Sequence, residues 1–301
     1  MKKIYIAPME GVTGHIFRRA YHRHINQEIE KYFTPFISPN KNQCMSNREK
    51  KDILPEDNPG MRIVPQILTK DAERFVDTAK ELMNYGYKEI NLNLGCPSAT
   101  VVSKKKGAGM LGELSMLERF LDKIYDTCPA SVSIKTRLGI EREEEWWPLF
   151  QLFCKFPLAE LIVHVRLLQD FYSGPVRPHC FYEAMSQAPF SMIYNGDIFS
   201  VEDAEGVETE TIMLGRGILR NPMLSCEIQG IKEGDLRGFH EQLLQDYRNE
   251  MSGETPTLHK MKELWSHLIT SFPDATKEYK AIRKSKTIAE YEVAVSRILD
   301  S

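Results

Sequence analysis

A (β/α)8 barrel followed by a small C-terminal helical domain is the fold the sequence predicts, on three observations. Eight short, β-rich apolar runs recur through the first three quarters of the chain. Helical patterns separate most of them. Beyond about residue 233 the strand-like runs stop and only helical patterns continue. Alternating strand and helix implies a parallel sheet, and eight such units imply closure into a barrel. The 301 residues suit this division, because a barrel of this kind takes ~250 residues as one domain.

The strand runs lie at 4–9, 32–38, 62–68, 89–95, 132–138, 160–166, 190–197 and 211–216. Runs this short also suit buried helix segments, but the flanking Gly and Pro favour strands. Thr69-Lys70-Asp71-Ala72-Glu73 opens a helix with Phe75, Ala79, Leu82 and Met83 along one face, and Gly86 closes it as a left-handed cap. Residues 113–127 repeat the pattern with Leu117, Phe120, Leu121 and Ile124, and 143–156 with Trp147, Phe150 and Phe153. The second unit is the weakest, since residues 39–60 read as a polar loop. Helices follow at 235–251, 257–271 and 287–299, with Gly253, Pro256 and Pro273 as breaks. The division is a barrel over 1–232 and a helical domain over 233–301.

A net charge of −3 and a pI near 6.3 exclude a uniformly basic protein, while a local basic strip can still attract phosphate. None of the six cysteines forms a C-x-x-C pair, so neither a zinc site nor a disulfide framework is expected, and no metal is assigned. The N-terminal apolar run is only about five residues, short of the ~7–15 of a secretory leader. No stretch approaches the ~20 apolar residues of a membrane span. A soluble, cytoplasmic protein is expected.

In a barrel, chemistry belongs at the C-terminal ends of the strands. Here those ends carry Pro8 and Met9, Gln66, Asn91 and Asn93, Lys135 and Arg137, His164 and Arg166, Asn195-Gly196-Asp197 and Gly215-Arg216-Gly217. So many polar groups on one rim are hard to explain by stability, because each buried polar group needs a partner. The Gly-rich turns of the last two strands suit a phosphate, held by the N–H groups of Gly196, Gly215 and Arg216 with the Arg216 charge added. Lys135 suits a delocalised anion such as a reduced flavin; pairing with a barrel carboxylate is equally open. Gly95 and Pro97 put Cys96 on a loop, though a free cysteine is more often a small buried apolar residue.

Taken together, the segments resemble the tRNA-dihydrouridine synthase family. They are Ala7-Pro8-Met9-Glu10-Gly11-Val12-Thr13, Pro65-Gln66-Ile67 and Asn91-Leu92-Asn93-Leu94-Gly95-Cys96-Pro97-Ser98. They continue with Lys106-Gly107-Ala108-Gly109, Lys135-Thr136-Arg137-Leu138-Gly139, Val163-His164, Tyr172-Ser173-Gly174, Asn195-Gly196-Asp197 and Gly215-Arg216-Gly217. The order is kept over nearly the whole barrel. The resemblance implies reduction of the C5=C6 bond of a uridine in tRNA with FMN and NADPH. It implies FMN contacts from Ala7, Pro8, Met9, Gln66, Lys135, His164, Asn195, Gly196, Asp197, Gly215 and Arg216. It implies Cys96 as the general acid and a uracil pocket lined by Asn93, Arg137 and Tyr172. It also implies a tRNA-binding C-terminal region. One departure stands out: where the family commonly has H-x-R-T-R, this chain has His164-Val165-Arg166-Leu167-Leu168.

Elementary chemistry fits those roles. Reduction at uracil C6 leaves negative charge at C4=O and C5, and C5 must be protonated from the opposite face. A thiol on a mobile loop can do this while it stays protonated. Asn93 matches the donor–acceptor edge of uracil, Arg137 can offset enolate charge, and Tyr172 can hydrogen-bond or stack. Two basic strips suit RNA: Lys104, Lys105 and Lys106 beside the cysteine loop, and 277–286 with Arg283, Lys284 and Lys286 around Tyr279. Two other readings are a flavin barrel acting on a free pyrimidine or an enone, and a tRNA-binding protein without catalysis.

Overall fold

In the computed structural model, which describes residues 1–232 and 234–300, nine short parallel strands form one sheet. They are β1 (Lys3–Ile6), β2 (Lys31–Phe33), β3 (Ile63–Val64), β4 (Gln66–Ile67), β5 (Glu89–Leu94), β6 (Ser131–Arg137), β7 (Glu160–His164), β8 (Ser191–Asn195) and β9 (Thr211–Leu214). The order is β3-β2-β1-β9-β8-β7-β6-β5-β4. The two ends of this order are neighbours in sequence, so β3 and β4 are halves of one barrel stave divided at Pro65. Proline has no N–H to give the ladder, but the Pro65 carbonyl still accepts from Asn91 N at 2.8 Å. The eight expected staves are therefore present and the barrel closes, with helices outside it.

Most strands stop two or more residues short of the expected ends. The second ends at Phe33, because Pro35 interrupts the ladder soon after it. Pro8, Met9 and Asp197 consequently stand on the loops above the barrel, and Arg216 opens the short helix Arg216–Arg220 there. The segment 39–60, expected as a polar loop, contains the helix Asn47–Ile53. Ser46 and Glu49 form a reciprocal capping box at its start. Apolar residues fill the barrel interior: Tyr5, Ala7, Phe33, Val64, Ile162, Ile193 and Met213 form a distinct buried cluster there.

The lower, N-terminal end of the barrel is closed by charge. Lys31 is buried and its amine lies 2.8 Å from both Glu89 and Glu160. Tyr5 Oη donates to Glu160 at 2.7 Å.

After residue 233 the described residues form four α-helices, Leu236–Glu250, Glu254–Leu268, Thr276–Lys284 and Ile288–Leu299, with a 3-10 turn at Ile269–Ser271. The third coincides with the basic strip at 277–286; Ile282 is its one buried side chain among the described residues. Pro256 does not break the second helix but lies in its first turn, where its missing N–H has no intrahelical partner to lose. Phe239 meets Phe17 and Tyr21 edge-on, at 5.5 and 6.0 Å between ring centres, fastening the first helix to the barrel helix His15–His24. The expected boundary at 232/233 falls on Glu233, which lies outside the described residues.

Candidate functional site

A cavity of about 700 Å3 opens at the C-terminal ends of the strands. Its wall brings together Ala7, Pro8, Met9, Gln66, Asn93, Cys96, Lys135, Arg137, His164, Tyr172, Asn195, Gly196, Asp197, Gly215 and Arg216. The residues that the resemblance assigns to the flavin, the uracil and the acid thus share one cavity; Asn91 and Arg166, also expected on the rim, lie behind it, on Gln66 and on Asp197. Its size is in the ~300–1,000 Å3 range of small-molecule sites.

The Cys96 loop is braced. The Asn93 side-chain oxygen accepts from Gly95 N at 3.1 Å and Cys96 N at 2.9 Å. Its amide nitrogen donates to Gln66 Oε1 at 2.6 Å, and Gln66 in turn donates to Asn91 Oδ1 at 2.7 Å. The expected donor–acceptor face of Asn93 is therefore largely occupied: its oxygen holds the loop, and one amide N–H remains for a ligand. On the far side, Ala108 N donates to the Cys96 carbonyl at 3.1 Å. Gly107 packs against the loop with φ +55°, and a Cβ there would lie 2.9 Å from the Cys96 carbonyl oxygen. Lys106-Gly107-Ala108-Gly109 is thus a backstop for the cysteine. The loop expected to be mobile is tied on both sides. Burial pushes the Cys96 thiol pKa up, against the opposing pull of Arg137 and Lys135, so it is protonated near neutrality.

The cations of the rim are unevenly satisfied. Arg137 is fully buried. Its Nε donates to the Gly95 carbonyl and one terminal nitrogen to the Leu167 carbonyl, both at 2.9 Å. The other terminal nitrogen is buried without a well-formed hydrogen bond among the described residues, the Tyr172 hydroxyl being the polar group beside the guanidinium. Burial, moderated by Tyr172, pulls the Arg137 pKa down to about 10. Lys135 finds no carboxylate among the described residues; burial and Arg137 bring its pKa down to about 7. The carboxylate-paired alternative for Lys135 is not what the fold builds. His164, buried among Arg137, Lys135, Arg166 and Arg216, is held well below the usual histidine range and stays neutral.

Asp197 sits with φ +39° between two guanidiniums. Arg166 grips both its oxygens, one of them at 2.9 Å, and Arg216 reaches Oδ1 at 2.8 Å. Burial raises the Asp197 pKa, but the two arginines outweigh that and hold it below the usual carboxylate range. Arg216 also donates to the Tyr172 carbonyl at 2.7 Å. The half-exposed Tyr172 ring lies along His164 at 6.2 Å, with Arg137 and Arg216 at 5.3 and 5.4 Å. Leu168 is a buried core residue, so the side chain replacing the family's second arginine offers no polar contact.

The lysines expected beside the cysteine do not line the cavity. Lys104 and Lys105 are exposed, and Lys105 pairs with Glu113 at 2.6 Å. Arg283, Lys284 and Lys286 are exposed on or just after the helix Thr276–Lys284. Arg283 borders a shallow groove with His259, Lys260, Lys262 and Tyr279. Among the cavity residues to which the sequence assigns no role are Glu10, Phe199 and His267. Glu10 stands inside the first motif. No sequence signal distinguishes His267, which reaches the cavity from a C-terminal helix.

The Dihydrouridine synthase (Dus) family model matches residues 5–299. The tRNA-dihydrouridine(16) synthase of Pseudomonas putida is 27% identical over 322 aligned positions, covering 99% of this chain and 96% of that protein. The tRNA-dihydrouridine synthase B of Pasteurella multocida is 26% identical over 238 positions, covering 77% of this chain and 70% of that one. Among solved structures, the old yellow enzyme homologue from Zymomonas mobilis aligns with a TM-score of 0.50 at 11% identity, over 79% of this chain and 92% of that chain. At that identity the likeness is one of fold. No helix among the described residues is long and apolar enough to cross a membrane.

Proposed function

The chain belongs to the dihydrouridine synthase family, and from that premise we propose that it reduces the C5=C6 bond of a uridine in tRNA, with FMN in the barrel cavity, NADPH as reductant and Cys96 as proton donor. One observation carries the reading. A protonated thiol faces a cavity whose cations, Lys135 and Arg137, have no carboxylate counter-ion among the described residues, and one buried Arg137 nitrogen has no well-formed hydrogen bond, with the Tyr172 hydroxyl beside the guanidinium. A buried donor without a partner costs about 1–3 kcal/mol. A bound ligand with anionic or carbonyl oxygens removes that cost.

The residues fit an FMN. Lys135 is free to offset the charge of a reduced ring system. Ala7, Pro8, Met9, Gln66, His164 and Asn195 supply apolar and hydrogen-bonding wall. Gly196, Asp197, Gly215 and Arg216 supply the phosphate end. Gly196 has φ +147°, and a Cβ there would lie 3.0 Å from Val165, so the turn needs glycine. FMN, when bound, supplies the hydride that adds at uracil C6.

The chain's own residues do the rest. Asn93 and Gly107 fix the Cys96 backbone, so the thiol points from a set position. Cys96 gives its proton to C5, and Arg137 and Lys135 stabilise the thiolate left behind. Water at the open mouth returns the proton. The remaining Arg137 nitrogen donates to a uracil carbonyl, and the remaining Asn93 N–H supports the same edge. Tyr172, half-exposed at the mouth, offers a stacking face to a base that has left its helix. Lys104, Lys106, Arg283, Lys284 and Lys286 contact tRNA phosphates, with residues 233–301 as the tRNA-binding part. The site of action is the cytoplasm.

The test is direct. Purified protein should be yellow, and with NADPH it should form dihydrouridine in unmodified tRNA, mapped by position with 16 inspected first. A colourless protein that forms no product even with added FMN would refute the reading. Flavin and NADPH oxidation without product in tRNA would move the substrate to free pyrimidines or enones.

A further inference from the structure

The cavity has two unlike ends. Cys96, Lys135 and Arg137 belong to the β5 and β6 side. Gly196, Gly215 and Arg216 belong to the β8 and β9 side, and there the wall is completed from outside the barrel. The helix Glu254–Leu268 packs on the short helix Arg216–Arg220 and places His267 in the cavity wall. Ser271, just past its end, donates to the Arg220 carbonyl at 2.6 Å.

This end is rich in cations. The Arg216 and Arg220 guanidiniums lie 5.5 and 4.3 Å from the Phe199 ring centre, and Phe199 itself lines the cavity. Arg216 is half-neutralised by Asp197. No carboxylate pairs with Arg220 among the described residues. His267 feels both arginines: burial lowers its pKa, the exposed Glu263 partly opposes this, and Arg220 and Arg216 lower it further. An anion here would relieve all three groups at once.

We propose that His267 is a phosphate-binding residue: it completes, from the C-terminal helices, the site that holds the phosphate monoester of FMN together with Arg216, with the Arg220 charge in support. The inference rests on the flavin reading of the cavity. A flavin whose ring lies near Cys96 must carry its phosphate towards the opposite wall, where Arg216 and His267 stand, with Arg220 behind them against the Phe199 ring. The backbone turns at Gly196 and Gly215 alone serve a phosphate in barrels of this kind; the imidazole adds a donor that can gain a proton as the phosphate arrives. Cofactor binding then ties the C-terminal helices to the barrel.

Riboflavin, which lacks the phosphate, separates this role from general damage to the cavity. The affinities of FMN and riboflavin for the flavin-free full chain are measured by fluorescence quenching, for wild type, His267→Ala and His267→Gln. His267→Ala should lose roughly tenfold in FMN affinity, the scale of one charge-assisted hydrogen bond. Its riboflavin affinity should be unchanged, and His267→Gln, which keeps a donor, should recover part of the loss. An FMN-to-riboflavin ratio equal to wild type in His267→Ala overturns the inference, including where tRNA affinity falls instead, which would assign His267 to the tRNA backbone. If wild type binds neither flavin, the proposed function fails first and this inference with it.

Discussion

The two ends of the barrel hold the same kinds of charge and treat them in opposite ways. At the lower end Lys31 is buried, and two carboxylates and the Tyr5 ring surround it. At the upper end Lys135 has no carboxylate, and Arg137 keeps a buried nitrogen without a well-formed hydrogen bond. At the lower end the buried cation meets its counter-ions within the protein, although one Glu89 oxygen is buried without a partner, whereas at the upper end the cations meet no carboxylate among the described residues. A buried cation in a barrel is therefore not informative by itself; what decides between structure and function is whether the chain supplies its counter-ion.

Breaking the lower end should have the largest effect on the fold. Lys31→Met strands Glu89 and Glu160 without their cation, and should destabilise the protein by about 3–5 kcal/mol, read by denaturant unfolding. Flavin affinity per folded molecule should not change, because the lower end does not touch the cavity. A variant as stable as wild type would remove the distinction between the two ends.

The matching change at the upper end should act the other way. In the flavin-free protein at pH 7, Lys135→Met should be at least as stable as wild type, since it removes a half-buried amine with no carboxylate partner among the described residues. The sign of the pH dependence follows from the lowered lysine pKa. Between about 7 and the ordinary ~10.4 the unfolded chain holds a proton that the folded chain has shed, so wild-type stability gains with rising pH from this residue. The advantage of Lys135→Met should shrink as pH is raised from 7 towards 9. A gap that widens with pH would show that Lys135 is stabilised as a cation within the protein.

The sequence carried the upper end well and the lower end hardly at all. Cys96, Lys135, Arg137 and the Gly196 and Gly215 turns each sit at a strand end, where short motifs and strand position coincide. The Lys31 cluster joins residues 58 and 129 positions apart, with no local pattern to announce it. The helix Asn47–Ile53 had a readable capping box in Ser46 and Glu49, but it buries only Asp52 and Ile53 and so shows almost no apolar stripe. The Asn93 oxygen shows a related point: residue type tells which atoms can bond, and only the turn at Gly95 and Cys96 tells which already do. His267 depends on how one helix packs on another, which neither periodicity nor motif encodes.

The basic surface should give the smallest effects, because its charges are exposed and screened. Reversing Arg283 and Lys284 together to glutamate should weaken tRNA binding by about tenfold at low salt, less as salt rises, with a shallower salt dependence. Binding assays across salt concentrations read both. Lys105→Ala, which removes a lysine already paired with Glu113, should change affinity by less than about twofold. Equal losses from the two changes would mean that the surface pairing around Lys105 does not persist when tRNA binds.

The central claim is that the unsatisfied upper end, with Cys96 as its acid, reduces a uridine. Its most direct test is dihydrouridine formation in unmodified tRNA by Cys96→Ala and wild type at equal FMN content, with NADPH oxidation followed in parallel. The account predicts that the variant retains its flavin and oxidises NADPH in the presence of oxygen, while product formation falls by about 10²- to 10⁴-fold, the contribution of a positioned general acid. Product formation at the wild-type rate would contradict it, and would place the proton donor elsewhere on the rim.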